Sequence, residues 1–168
     1  RRALQTWADR DGIEPDRMVL CSLTRTAAAV LRGSVNVPDN QVATLHALAY
    51  RSLGMPPLAA VGALAKQWTE QAIPDAWKLG GKGTGLDGVT ERVAGEQPSI
   101  YSLWRAGLRR NRWQEESCRE FAVAWEAYKA DTGSVDFTDL LETVLRQGTP
   151  LCYGSQVFVV DEAADLSP

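Results

Sequence analysis

The sequence predicts an α/β fold built on a parallel sheet, and three observations lead there. The runs Arg17-Met18-Val19-Leu20-Cys21-Ser22-Leu23, Gln41-Val42-Ala43-Thr44 and Val157-Phe158-Val159-Val160 are short and mostly apolar, as buried strands are. The first two pass directly into helix-forming segments, and strands alternating with helices build parallel sheets. Between the second and third runs the composition changes: four of the six tryptophans, Trp68, Trp77, Trp104 and Trp113, fall in residues 57–114. Residues 56–131 therefore read as an inserted, mainly helical unit with its own small core. That leaves 1–55 and 132–168 as the α/β part.

The bulk properties narrow the function classes. A chain of 168 residues suits one domain, or one domain with an insertion. Apolar content of 45% and charge of 23% describe a globular protein. Net charge is −3, so no global basic field announces nucleic acid, and any such contact must come from local patches. No apolar run approaches a membrane span and no signal peptide is visible, which points to an intracellular, cytoplasmic protein. Cys21, Cys118 and Cys152 are odd in number and widely spaced, as reduced buried thiols are. The single histidine, His46, excludes His-cluster metal sites. Both ends read as cut: the chain opens on Arg1-Arg2-Ala3-Leu4-Gln5-Thr6-Trp7, a helix already under way, and stops inside a motif.

In order along the chain, that opening helix ends at Asp11-Gly12. After the first strand, Thr24 caps an Ala-rich helix closed by Gly33, and the unspent N–H groups at its start form an anion site. Thr44 caps the next helix and Gly54 ends it. On that helix Leu45, Leu48, Ala49 and Ser52 share one face, while His46 and Tyr50 share another. Considered by itself, a lone helical histidine reads as a structural hydrogen-bonding group. Pro56-Pro57 marks the boundary of the insertion. The loop Gly80-Gly81-Lys82-Gly83-Thr84-Gly85 has no GK[ST] and no strand leading into it, so it is a turn and not a phosphate cradle.

The segment Trp104 to Trp113 interleaves Arg105, Arg109, Arg110 and Arg112 with two aromatics. It has two readings: phosphate contacts with base stacking, or a solvated helix face balanced by Glu115, Glu116 and Glu120. Residues 114–130 form an amphipathic helix with Cys118, Phe121, Ala122, Trp125 and Tyr128 on one stripe. Asp136 caps the helix after it, with Asp139 three positions on. The final strand then ends on Asp161-Glu162. Carboxylates beyond the carboxyl end of a parallel strand can hold a metal ion and orient an attacking water, or simply cap the following turn.

These pieces, in this order, resemble the UvrD/Rep-like superfamily 1 DNA helicases. Leu23-Thr24-Arg25-Thr26-Ala27-Ala28-Ala29-Val30-Leu31 is similar to motif Ia, and Thr44-Leu45-His46-Ala47-Leu48 to the T-[FL]-H-x-L segment of motif Ib. Val135-Asp136-Phe137-Thr138-Asp139-Leu140-Leu141 resembles the "[LV]DFxDLL" helix, and Val159-Val160-Asp161-Glu162-Ala163-Ala164-Asp165-Leu166-Ser167-Pro168 resembles motif II. The likeness covers nearly the whole chain outside residues 56–131. It implies an incomplete P-loop NTPase (RecA-like) parallel sheet, subdomain 1A, with the insertion as subdomain 1B. The Walker A segment would lie upstream of Arg1, and the second RecA-like domain downstream of Pro168.

The resemblance implies ATP and Mg²⁺ as cofactors, with Asp161 on Mg²⁺ through water and Glu162 as the base that activates water. Thr24, Arg25, Thr44 and His46 would contact single-stranded DNA. The partners would be single-stranded DNA and duplex junctions, and Arg109, Arg110 and Arg112 of the basic segment, outside the matched motifs, are candidate phosphate contacts. Asp165 would tie motif II to its neighbouring helix. The parent would be a DNA-associated, monomeric 3′-to-5′ motor. One departure stands out: Ala164 replaces the Gln that helps couple nucleotide state to DNA in the family. Competing readings are a non-catalytic DNA-binding scaffold, the helicase part of a helicase–nuclease, and an unrelated α/β nucleotide hydrolase. The last leaves the Thr-Leu-His and Asp-Phe segments unexplained.

Overall fold

Strand β1, Met18–Ser22, buries all five of its residues and is the centre of a three-stranded sheet. The computed structural model describes residues 6, 10–33, 36–71, 74–79, 96–105, 112–152 and 154–161, with the backbone alone at 112–115 and 117. Helix α1, Arg25–Arg32, follows β1 and leads to β2, Val42–Thr44; helix α2, Leu45–Ser52, follows at once. Strand β3, Val157–Val160, lies on the other side of β1, giving the order β2-β1-β3. Both pairings are parallel, with Leu20, Cys21 and Ser22 opposite Val42, Ala43 and Thr44. On the far side Met18 to Cys21 lie opposite Val157 to Val160. The α/β architecture with a small parallel sheet follows from these pairings.

Met18, Leu20 and Val42 form the core on one face, with Ile13, Leu31, Val37, Val157 and Val159 packed against them. Fully burying a side chain such as Leu20 contributes about 1.5–3 kcal/mol. The all-apolar β3 was expected to be fully buried, and the structure corrects this. Among the described residues it pairs only with β1, and Phe158 is 41% exposed.

The remaining helices are α3, Gly62–Glu70; α4, Glu96–Arg105; α5, Arg112–Thr132; and α6, Phe137–Gln147. Two compact units divide the chain: residues 1–54 with 147–168, and residues 55–146. The boundary expected at 131/132 thus falls inside the second unit, which includes nearly all of α6. The core of that unit is aromatic. Trp68 lies 4.9 Å from Trp125 in an edge-on contact, and Phe121 stacks on Trp125 at 6.1 Å. Their polar ends are satisfied: Trp68 Nε1 donates to the Trp77 carbonyl at 3.0 Å, and the Tyr128 hydroxyl donates to the Leu64 carbonyl at 2.7 Å. Cys118, Phe121, Trp125 and Tyr128 are all buried, at the helical spacing the sequence displays.

A buried ion cluster fastens α6 into this unit. Asp136 and Asp139 form a reciprocal cap: the Asp139 N–H donates to Asp136 Oδ1 at 2.9 Å, and the Asp136 N–H to Asp139 Oδ2 at 2.8 Å. Helix α5 stops just before, at Gly133, whose φ of +59° suits glycine. There the Ser134 N–H donates to the Lys129 carbonyl at 2.9 Å. Lys129, whose side chain is 4% exposed, then reaches Asp136 at 2.9 Å and Asp139 at 2.6 Å. Arg105 from α4 spans Asp136, Asp139 and Glu142. Trp125 Nε1 donates to Asp136 Oδ2 at 3.0 Å. The parallel bridge Leu58–Val135 anchors the segment that leads into α6.

Removing one member of a buried ion pair strands the other charge, at a cost of about 3–5 kcal/mol. Asp136→Asn is expected to cost that much in urea unfolding followed by tryptophan fluorescence. Burial opposes the charged form of Asp139, but the Asp136 N–H, Lys129 and Arg105 outweigh it and hold the carboxyl below its ordinary range. A depressed carboxyl stabilises the fold above its unfolded value and loses that contribution as pH falls through the folded one. Acid titration of stability below about pH 4 should therefore be shallower in Asp139→Asn than in the wild type.

Candidate functional site

The parallel register brings the carboxyl ends of all three strands to one edge of the sheet. Ser22 ends β1, Thr44 ends β2 opposite it, and Asp161 follows β3. Ligand sites of open α/β sheets lie at this edge. Two helices also start there. The Thr24 hydroxyl accepts from the Ala27 N–H at 3.1 Å and caps α1. The Thr44 hydroxyl accepts from the Ala47 N–H at 3.3 Å and caps α2. Both threonines are held by the local chain, as Thr at a strand-to-helix turn is placed to be.

Arg25 is the first residue of α1, exposed and without an ion pair among the described residues. His46 is the second residue of α2 and half-buried. Burial pushes its imidazole below the ordinary histidine range, which favours the neutral ring at pH 7. The Asp161 backbone is fixed, since its N–H donates to the Cys21 carbonyl at 2.8 Å and extends the β1–β3 ladder by one bond. Its carboxylate has no hydrogen-bond or ion-pair partner among the described residues. Thr24, Arg25, Thr44, His46 and Asp161 thus gather at one sheet edge.

Glu162, Ala164, Asp165, Arg109 and Arg110 lie outside the described residues, as does the Gly80–Gly85 loop; Arg112 opens α5, and its side chain also lies outside. Arg105 is the exception in the basic segment, and it corrects the phosphate reading for that residue. Burial opposes its charge, but Glu142, Asp136 and Asp139 outweigh the penalty and raise its pKa. The partners expected from sequence were Glu115, Glu116 and Glu120. Those found belong to α6, its cap and α5, since Glu126 also lies 3.8 Å away.

The strand read as buried from the sequence holds Ser22 and Cys21 at its carboxyl end. Ser22 is fully buried at the carboxyl end of the central strand. Cys21 is buried, and burial, with a smaller effect of Cys152, pushes its thiol up to about 11, so it is inert at neutral pH. Elsewhere, carboxylate oxygens of Glu126, Asp136 and Asp139 lie within 4.8 Å of one another. Lys129 contacts all three, so an ammonium already neutralises that cluster.

No protein-family model, curated protein or solved structure matches this chain.

Because the folded His46 pKa is depressed, its stabilising contribution is present above the unfolded value near 6.5 and is lost as pH falls through the folded value. Urea midpoints measured between pH 7.5 and 5 should drop less in His46→Gln than in the wild type.

Proposed function

We propose that this chain is part of an ATP-dependent DNA helicase or translocase that moves on single-stranded DNA. The observation that supports this reading is the single sheet edge shared by Asp161 and the two capped helix starts. Nucleotide chemistry and DNA contact then lie side by side, as a motor that couples them requires. The resemblance of four ordered motifs adds the family, and with it a 3′-to-5′ direction.

A carboxylate oxygen is the kind of donor Mg²⁺ takes. Asp161 offers a hard, anionic oxygen that nothing else in the described structure engages. Mg²⁺, when bound with ATP, supplies neutralisation of phosphate charge. Asp161 would hold it through water, and Glu162 would take the proton of the attacking water. The α1 start, with Thr24 and the Arg25 guanidinium, which has no ion pair among the described residues, would meet DNA phosphates through N–H groups and charge. Thr44 and His46 would contact the same strand, with the neutral imidazole acting as a hydrogen-bonding or stacking group and not as a cation. Arg109, Arg110 and Arg112 of the basic segment are candidate phosphate contacts.

A second reading, a DNA-binding scaffold without turnover, rests on Ala164. Alanine cannot make the hydrogen bond that links nucleotide and DNA segments in the family this chain resembles.

The 168-residue chain alone, which carries no GK[ST] phosphate cradle, should hydrolyse no ATP. In the longest gene product that contains it, single-stranded DNA should stimulate ATP turnover. Glu162→Gln should lower that rate by about 10²–10⁴. DNA binding without turnover by that product would favour the scaffold.

A further inference from the structure

Each of the two units is closed by its own interactions. The sheet unit pairs β2 and β3 with β1, and its core of Met18, Leu20 and Val42 is packed by residues of the same unit. The second unit holds its aromatic core, between Ala59 and Tyr128, inside residues 55–146. Its ion cluster, between Arg105 and Glu142, lies there too.

The ends of the second unit are also fastened to each other. The Val135 N–H donates to the Pro57 carbonyl at 2.9 Å, and the Ala59 N–H donates to the Val135 carbonyl at 2.9 Å, which forms the Leu58–Val135 bridge. On one side of this clasp, Ala59 and Ala60 belong to the same buried core as Trp68 and Trp125. On the other side, Asp136 enters the ion cluster. Residues 58–135 thus return to their starting point, the arrangement that lets an inserted segment fold as a module. The chain crosses between the units at Gly54-Met55 and at Arg146-Gln147, and these residues are exposed. Segments with few buried contacts divide a chain into separate cooperative units.

We propose that the Pro57–Val135 clasp makes residues 55–146 a module that opens and closes by itself while the sheet unit stays folded, and that the sheet unit opens without the module. The inference stands apart from any role in ATP turnover. Each unit carries a fully buried thiol: Cys21 in β1 is 1% exposed and Cys118 in α5 is 2% exposed. Opening of one unit then uncovers one of these thiols and leaves the other protected. Local opening in either half proceeds without global unfolding.

The test is a pulse of iodoacetamide applied to the 168-residue chain across a urea series, with each cysteine read by peptide mass spectrometry. Val135→Pro deletes the N–H that donates to Pro57, and it should move the Cys118 midpoint to lower urea by about 1 M or more while Cys21 stays in place. Asp136→Asn, in the ion cluster, should do the same. Leu20→Ala, in the sheet core, should lower the Cys21 midpoint by a similar amount and leave Cys118 unmoved. Where a clasp or cluster variant opens the module in buffer alone, Cys118 should label without urea and Cys21 should remain protected. Separate shifts support the proposal even where the two wild-type midpoints coincide. If any of the three variants moves both midpoints together, the units unfold as one and the proposal is overturned.

Discussion

The second unit depends on one carboxylate. Asp136 Oδ2 accepts from Trp125 Nε1, Lys129 Nζ and Arg105, while Oδ1 accepts from the Asp139 backbone and from Arg105. Through these bonds one side chain caps α6, completes the polar end of the aromatic core, and neutralises two cations from α4 and α5. Burial alone would drive Lys129 toward its neutral form. The surrounding acids, Asp136 foremost, outweigh that penalty and raise its pKa. A cluster of this kind stabilises little in net terms, since desolvation offsets much of the attraction. Its strength lies in specificity, because every misplaced partner leaves a buried charge alone.

The first unit depends on a geometric constraint. Parallel pairing on both sides of β1 aligns three strand ends that are far apart in sequence, at residues 22, 44 and 160. Antiparallel pairing would send alternate ends to opposite edges, and Asp161 would then stand away from Thr24 and Thr44. The candidate site is therefore a consequence of the β1–β2 and β1–β3 registers more than of any single residue. The helices add to it because each begins where its strand stops, and each start leaves N–H groups unpaired within the helix.

Arg105 shows how composition misleads. Four arginines and two tryptophans within ten residues resemble a nucleic-acid surface, yet the first of them is 9% exposed and committed to acids about thirty residues away. Tyr101 lies beneath it at 5.6 Å and is hydrogen-bonded to Glu126, so α4, α5 and α6 meet at this guanidinium. A charge run in sequence reports how many charges there are. Which of them remain available is decided by what folds against them.

Much of the architecture was legible locally. Threonine before a helix, glycine after it, Asp136 three residues before Asp139, and the apolar stripe from Cys118 to Tyr128 each act within a few residues. Their effects on caps, ends and faces could be read without a fold. Only the tertiary structure decided what depends on residues distant in sequence. It left Phe158 of the apolar β3 exposed, assigned α6 to the second unit through Arg105 and Lys129, and buried Ser22 beside the position of Asp161. The physical reason is range. Capping and helical periodicity act within one or two turns, whereas strand order and the ion pairs of Arg105 are settled by segments more than twenty residues apart.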